Sequence, residues 1–230
     1  HGFVHTLKEG DLFLLDAGAE TKEHYAGDLS STMPVSNQFT SQQAEIYNSH
    51  LESFQAAVDC LKPGVPFRDA HIAAATRIVE GMKSLGLMKG DPAEAAESGA
   101  YALFFPCGLG HMMGLDVHDM ENLGEQYVGY DGKPKSKQFG FKSLRLARPL
   151  EPGFVFTVEP GIYFIPELID KWKAEKQFTD FICYEKLDAW RNFTGLRNEL
   201  DYTITPDGAR LLGTIKKPMT TEEVLAAKGI

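Results

Sequence analysis

The chain has 230 residues, of which 43% are hydrophobic and 24% are charged. This composition excludes a disordered or fibrous protein and is sufficient for one substantial core, so we expect a single domain over residues 1–230. The formal net charge of −9 argues against binding to nucleic acid or to an anionic membrane, because both select for clustered Lys and Arg.

The three cysteines argue against a disulfide framework. Cys60, Cys107 and Cys183 are odd in number and widely separated, which favours a reducing compartment. No apolar run approaches the roughly 20 residues that cross a bilayer, and no signal-peptide pattern is present. We therefore expect a cytoplasmic protein. The chain opens on His1 and enters a strand without an initiator Met, so we expect upstream elements of the domain to be missing.

A β-hairpin is predicted over residues 11–35, where apolar runs alternate with turn residues and the polar segment 21–23 suits the tip. If the tip centres on Lys22, Asp16 lies directly opposite Asp28, with Cβ atoms about 4.5–5.5 Å apart. Two like charges repel at that distance, and a cation between them would reverse the interaction. The other interpretation is that either aspartate is a turn residue beside a glycine.

Two helices are predicted next, over residues 40–61 and 66–86. Thr40 and Gln43 have the spacing of a capping box at the start of the first helix. Pro66 suits the first turn of the second helix, and Gly86 suits its C-terminal cap. The expected buried positions are Tyr47, Leu51, Phe54, Val58 and Leu61 in the first helix and Ile72, Ala75, Val79 and Met82 in the second.

The second half of the chain alternates strand-like and irregular segments. Residues 101–119, 153–164 and 194–205 are rich in aromatic and β-branched residues and are predicted as strands or strand edges. Residues 121–150 show little periodicity, which predicts a long surface excursion of the kind that often frames a site. Residues 166–192 combine aromatic and charged residues and are predicted to pack as helix over a sheet.

Four carboxylates and one histidine lie in or beside these apolar segments, where an uncompensated charge would cost several kcal/mol. Each also has a simpler interpretation: Glu199 on an exposed strand beside Arg197, or His111 as a hydrogen-bonded core residue. Their joint occurrence favours a metal site. The set comprises Asp16, Asp28, His111, Glu159 and Glu199.

The ligand types constrain the metal. Mostly hard oxygen ligands favour Mn²⁺, Co²⁺ or Fe²⁺ over a thiolate-type structural Zn²⁺ site, and four negative charges balance two divalent ions. Two such ions can activate a shared water and polarise a carbonyl oxygen, which suits amide hydrolysis.

Four stretches carry a resemblance to a known family: LLDAGAETKEHYAGDLSSTMPVS, GLGHMMGLDVHD, VEPGIY and LRNELD. In this order they resemble the pita-bread metallopeptidases, specifically the aminopeptidase P and prolidase branch, which hydrolyses the bond between an N-terminal residue and proline. Methionine aminopeptidases are less similar. The resemblance implies an α+β pita-bread fold, with a curved antiparallel sheet covered by helices and its N-terminal part missing.

The resemblance also implies roles for individual residues. It makes Asp16, Asp28, His111, Glu159 and Glu199 the ligands of two divalent ions, with Mn²⁺ favoured and Co²⁺, Fe²⁺ or Zn²⁺ as alternatives. Asp28 and Glu199 would bridge the ions, and a bridging water or hydroxide would be the nucleophile.

Further residues would act on the substrate. Glu159 would also shuttle a proton, and His118 would hydrogen-bond the substrate carbonyl or the oxyanion. Arg197 and Tyr163 resemble residues that support the ligands and contact substrate. The implied partners are peptides with proline second, together with a homodimer in the full-length protein.

This chain departs from the family pattern at three points. Cys107 stands where many relatives carry a histidine, which puts a substrate contact in doubt. Leu200 replaces an Asp that commonly follows the bridging Glu. The family's other catalytic histidine is expected just before residue 1, and His1 or His5 is only loosely placed to substitute for it.

Two alternatives to the peptidase remain open. One is a catalytically inactive pita-bread module that uses the cleft to bind a peptide or protein partner. The other is a creatinase-like hydrolase that needs no metal. Both are weaker, because such proteins would be expected to lose ligands and this chain keeps all five.

Overall fold

The computed structural model describes residues 6–229, which form an α+β arrangement of antiparallel strand pairs covered by helices. Within this range, no helix combines the length and apolar character needed to cross a membrane. The strands are β1 (Leu12–Glu20), β2 (Ala26–Pro34), β3 (Val155–Val158), β4 (Gly161–Tyr163), β5 (Gly195–Arg197), β6 (Leu200–Thr205) and β7 (Gly208–Leu211). The α-helices are α1 (Ser41–Asp59), α2 (Phe67–Ser84), α3 (Pro92–Ser98), α4 (Glu125–Val128), α5 (Pro166–Ala174) and α6 (Thr221–Ala227). Short 3₁₀ helices span Ala100–Leu103, Glu121–Leu123, Phe141–Ser143 and Tyr184–Trp190.

The predicted β-hairpin forms, but its predicted register is wrong. Asp28 lies opposite Gly18, and Asp16 lies opposite Ser30. The reason is the loop over residues 21–25, where His24 adopts a φ of 65° and the tip centres one residue later than Lys22. Asp16 and Asp28 are therefore diagonal neighbours on one face of the hairpin rather than a directly opposed pair.

Both predicted helices are present. Thr40 and Gln43 form the reciprocal capping box at the start of α1, and Gly86 follows the end of α2 with a φ of 71°. Phe67 of α2 packs edge-on against Phe156 of β3 with ring centroids 5.2 Å apart. The helices thus cover the strands that carry the functional residues.

The prediction of a strand over residues 101–119 is wrong. Residues 100–103 form a 3₁₀ helix, and only Met112 makes an isolated bridge, to Phe156 of β3. The apolar run at the start of this segment is fully buried, and burial on all sides does not distinguish a strand from a helical turn. Farther along, the backbone still runs beside β3, because Glu159 N donates to Leu109 O at 2.7 Å.

Elsewhere in the second half of the chain, the structure contains the predicted kinds of element. Residues 153–164 contain β3 and β4, residues 194–205 contain β5 and β6, and residues 166–192 contain α5 and a 3₁₀ helix. Residues 121–150 contain α4 and two 3₁₀ helices. This excursion is anchored by side chains that reach the core: Tyr130, Phe141, Leu144, Leu146 and Leu150.

The paired segments β3–β4 and β5–β6 are each interrupted, and the two interruptions lie opposite each other. β3 pairs with β6 and ends at Val158 opposite Leu200, whereas β4 pairs with β5 and begins at Gly161 opposite Arg197. Residues 159–160 fill the first break and residues 198–199 fill the second. The pairs Val158–Leu200 and Gly161–Arg197 belong to one antiparallel register, so the two glutamates of the predicted ligand set lie opposite each other at the interruption.

Candidate metal centre

One cleft of ≈ 350 Å³ collects the predicted ligands from five separate segments. Asp16 and Asp28 come from the hairpin, His111 from the segment beside β3, and Glu159 and Glu199 from the two breaks. His118, Arg197 and Cys107 also line the cleft, as do Ser143 and Arg145 of the 121–150 excursion. The excursion therefore borders the cleft that holds the predicted ligands.

Three of the predicted ligands form the tightest cluster. One ligand atom each from Asp28, His111 and Glu199 lies within 4.8 Å of the other two. His111 Nε2 is 3.6 Å from Asp28 Oδ2 and 3.6 Å from Glu159 Oε1. Asp16 lies at the more exposed side of the cleft. These separations suit groups that converge on cations between them rather than direct hydrogen bonds.

His111 is oriented by its own segment and by β3. Its Nδ1 contacts Met112 O at 3.0 Å, which leaves Nε2 facing the carboxylates. Thr157 Oγ1 accepts a hydrogen bond from His111 N at 3.1 Å and donates to Glu159 Oε1 at 3.4 Å. One threonine therefore fixes both a candidate ligand and the histidine beside it.

Arg197 organises the opposite wall of the cleft. Its guanidinium donates to Asp16 Oδ2, to Ser30 Oγ at 3.0 Å and to Tyr163 Oη at 3.1 Å. Its Nε also lies 3.9 Å from Glu159 Oε2. Tyr163 thus contacts the cleft through Arg197, and the simpler interpretation of Arg197 as an exposed charge is wrong.

His118 stands beside His111, with ring centroids 4.1 Å apart and the rings nearly perpendicular. Its Nδ1 lies 3.8 Å from Glu121 Oε2. Partial burial and the neighbouring His111 lower the pKa of His118. A neutral imidazole carries one N–H donor, which is suited to a carbonyl oxygen of a bound ligand.

The donor set fits divalent cations. Glu199 Oε1 and Asp201 Oδ1 are buried without a hydrogen-bond partner within residues 6–229, and orphaned buried carboxylate oxygens are costly. Burial and the nearby Glu159 raise the pKa of Glu199, and burial raises the pKa of Asp201 to about 6. Cations among these oxygens would supply the missing partners and remove the repulsion between carboxylates.

The pKa values of half-buried Asp28 and buried His111 are shifted by their contact with each other. The neighbouring His111 lowers the pKa of Asp28. Burial by itself lowers the pKa of His111, but Asp28 and the other carboxylates outweigh it, so the pKa of His111 is raised overall. The cluster thus favours positive charge at its centre.

Several functional neighbours were missed by sequence reasoning. Ser30 Oγ donates to Glu199 Oε2 at 2.7 Å, and Asp201 Oδ2 accepts from Asp28 N at 3.1 Å. Lys217 Nζ donates to Ser30 O beneath the carboxylates, and burial lowers the pKa of Lys217 to about 8. Ser30 could have been found from its spacing of two after Asp28 on one strand face, whereas Lys217 has no local signal.

Comparison with known proteins decides the family. Residues 1–206 match metallopeptidase family M24. This chain belongs to that family. The Xaa-Pro dipeptidase of Rattus norvegicus is 39% identical over 221 residues, which cover 96% of this chain and 43% of that protein. The human Xaa-Pro dipeptidase is 37% identical over the same lengths. The chain therefore spans less than half the length of these curated relatives.

Solved structures of the family agree with the fold. The aminopeptidase PepP of Pseudomonas aeruginosa superposes with a TM-score of 0.72 at 33% identity, over 98% of this chain and 43% of that one. Zn-substituted aminopeptidase P of Escherichia coli in complex with product gives a TM-score of 0.69 at 35% identity, over 96% of this chain and 41% of that one. The predicted α+β pita-bread fold is confirmed. His1 and His5, which the sequence places only loosely to substitute for a catalytic histidine, lie outside the described residues.

Proposed function

We propose that this chain is the catalytic domain of a metallopeptidase that hydrolyses the Xaa-Pro bond at the N-terminus of peptides or in Xaa-Pro dipeptides. One observation carries the proposal: ligand atoms of Asp28, His111 and Glu199 converge within 4.8 Å, beside an orphaned Glu199 oxygen. The substrate class is supported by relatives named Xaa-Pro dipeptidase and by an aminopeptidase P studied with the inhibitor Pro-Leu.

The proposed centre holds two divalent ions, with Mn²⁺ preferred because the donors are mostly carboxylate oxygens. Bound ions would supply Lewis-acid chemistry, lowering the pKa of a water molecule and polarising the scissile carbonyl. The five proposed ligands are Asp16, Asp28, His111, Glu159 and Glu199.

The proposed proton carrier is Glu159. Burial raises the pKa of Glu159 in the metal-free protein, and a carboxylate beside the reacting water is suited to general acid–base catalysis. Its Oε1 faces His111, and its Oε2 faces Arg197 at 3.9 Å. The same carboxylate can therefore take a proton from the attacking water and deliver it to the departing amine.

The proposed substrate contacts lie around the rim of the cleft. His118 is partly exposed and close to His111, so its N–H can stabilise negative charge developing on the carbonyl oxygen. Cys107 is exposed in the same cleft and offers a weaker donor than a histidine would. Arg197 donates a hydrogen bond to Tyr163 on the wall of the cleft opposite His118 and Cys107.

The cellular setting is proposed from the same chain. The cysteines Cys60, Cys107 and Cys183 are free in the structure, which suits a reducing cytoplasmic compartment. Peptide substrates are the proposed partners, and a homodimer is proposed for the complete protein.

The test is release of the N-terminal residue from an Xaa-Pro peptide by the complete protein with Mn²⁺, compared with Glu159→Gln. The matched control is Glu151→Gln, since Glu151 lies outside the cleft and pairs with Arg148 at 2.7 Å. We expect activity to disappear in Glu159→Gln and to persist in Glu151→Gln. Equal activity of wild type and Glu159→Gln would refute the assigned role, and an Xaa-Ala peptide cleaved as fast as Xaa-Pro would refute the specificity.

A further inference from the structure

At the two breaks, the backbone N–H and C=O groups find hydrogen-bond partners outside the paired strands. Glu159 and Pro160 fill the break between β3 and β4, and Asn198 and Glu199 fill the break between β5 and β6. Backbone N–H and C=O groups buried at such breaks require other hydrogen-bond partners. Glu159 N donates to Leu109 O and Glu199 N donates to Ser30 O, so the other restraint on each glutamate is whatever holds its neighbour in the break.

A single side chain of α1 reaches both breaks. His50 Nε2 lies 2.8 Å from Pro160 O and 3.2 Å from Asn198 N. The His50 side chain is fully buried, with 0% exposure. One ring nitrogen thus contacts the residue after Glu159 and the residue before Glu199.

The tautomer of the ring decides which of the two contacts is a hydrogen bond. Burial lowers the pKa of His50 to about 4, so the imidazole is neutral near pH 7, with one N–H and one lone pair. With the proton on Nε2, the ring donates to Pro160 O. With the proton on Nδ1, Nε2 accepts from Asn198 N. Nδ1 has no partner within the described residues, so the contacts at Nε2 determine which tautomer is favoured.

Packing alone does not account for a histidine at this position. Two other polar atoms beside it, Tyr47 Oη and Asn198 Nδ2, are also buried without partners in the described chain. Polar groups in such a core lower the stability of the fold unless they bond well. An aliphatic side chain would fill the same volume without the cost of desolvating an imidazole.

We infer that His50 is a positioning residue of the metal centre: through Pro160 and Asn198 it fixes the separation of Glu159 and Glu199. This inference rests on the proposed function, because the glutamates matter together only if they share cations. His50 acts through backbone atoms and touches neither glutamate side chain in the contacts described above.

Substitutions at His50 separate hydrogen bonding from packing. In His50→Gln, the amide group ends near the place of Nε2 and offers both a donor and an acceptor. In His50→Asn, the amide is one methylene shorter and reaches only the place of Nδ1. The aliphatic variant His50→Leu removes both contacts.

The matched control is His71→Leu. His71 is also fully buried on a helix, but its Nε2 bonds Tyr101 Oη at 2.6 Å in the core rather than either break. Loss of this histidine tests what removal of a buried imidazole does to the protein in general.

The experiment is calorimetric titration of the metal-free complete protein with Mn²⁺, together with its melting temperature before metal is added. We expect Mn²⁺ affinity to fall about tenfold or more in His50→Leu and His50→Asn, as for other residues that orient ligands, and to stay near wild type in His50→Gln. His71→Leu should lower the melting temperature and leave the affinity unchanged.

The outcomes are distinguishable. Wild-type Mn²⁺ affinity in His50→Asn, or a loss in His50→Gln as large as in His50→Asn, overturns the role of His50. A loss of affinity in His71→Leu equal to that in His50→Asn shows a general effect of destabilisation and also overturns it. Absence of Mn²⁺ binding in the wild type overturns the proposed function itself. If His50→Leu does not fold, the difference in Mn²⁺ affinity between His50→Asn and His50→Gln decides whether the role of His50 stands.

Discussion

Ser30 and Glu199 are joined twice across the interface of β2 with the second break. The Ser30 hydroxyl donates to Glu199 Oε2 at 2.7 Å, and Glu199 N donates to Ser30 O at 3.0 Å. The Ser30 backbone carbonyl therefore holds the backbone of a proposed bridging ligand, and the Ser30 hydroxyl orients its carboxylate.

Ser30→Ala tests this pair. The substitution keeps the backbone bond but leaves Glu199 Oε2 without its donor, so we expect Mn²⁺ affinity to fall about 10-fold. The measurement is Mn²⁺ titration by calorimetry. Ser53→Ala is the control, because Ser53 is equally buried and bonds only the His50 carbonyl one helical turn away. An affinity unchanged in Ser30→Ala would contradict the expectation.

Arg197→Lys tests the wall of the cleft. The guanidinium bonds Asp16, Ser30 and Tyr163 at once, and a lysine ammonium cannot reproduce this planar geometry. We expect kcat/KM for an Xaa-Pro peptide to fall about 10- to 100-fold. Arg191→Lys serves as the control, because Arg191 pairs with Asp170 and Asp188 on the surface. Similar losses in both variants would count against a role for Arg197 in the cleft.

Gly110→Ala tests the close approach that places His111. A Cβ at residue 110 would lie 2.0 Å from Thr157 O, so the segment must move away from β3. We expect the free energy of unfolding to fall by about 1–3 kcal/mol and Mn²⁺ binding to weaken. Gly208→Ala has open space around the added Cβ and should change stability by less than about 1 kcal/mol. Urea unfolding and Mn²⁺ titration measure the two effects.

His71→Gln tests the pH dependence of stability. Burial lowers the pKa of His71 to about 3, whereas an unfolded histidine titrates near 6.5. The unfolded state therefore binds more protons below pH 6.5, and stability present above that pH is lost as the pH falls towards 3.

Because glutamine does not titrate and can still bond Tyr101 Oη, the variant should lack this loss. We expect the unfolding free energy of His71→Gln, relative to wild type, to rise by several kcal/mol between pH 7 and pH 4. Urea unfolding at intermediate pH values measures it. A constant difference across this range would show that His71 is protonated in the folded protein.

Local sequence patterns anticipated much of the architecture. The capping box of Thr40 and Gln43 and the apolar steps of α1 depend on residues three and four apart, so they can be recognised without the fold. The strands around Glu159 and Glu199 were also predictable from their aromatic and β-branched residues. The two glutamates stood out because a charged residue rarely interrupts an apolar run. The residues of the proposed ligand set meet in one cleft, and their roles as ligands stay a prediction.

Other features depend on long-range packing. The hairpin register shifted because His24 takes a left-handed conformation in a five-residue loop, which the composition of the tip does not specify. The 3₁₀ helix at residues 100–103 was not predicted, because an apolar run that is buried on every side shows neither helical nor strand periodicity.

The sequence by itself determined the family, the two long helices and the residue types that can hold divalent cations, because these are carried by short motifs and local periodicity. Only the tertiary structure decided that Lys217 reaches the backbone of Ser30 and that His50 reaches the backbone of Pro160 and Asn198. Ser30 lies 187 residues from Lys217 along the chain, and His50 lies 148 residues from Asn198. Such contacts arise when helices and loops pack behind the strands, so no local pattern encodes them.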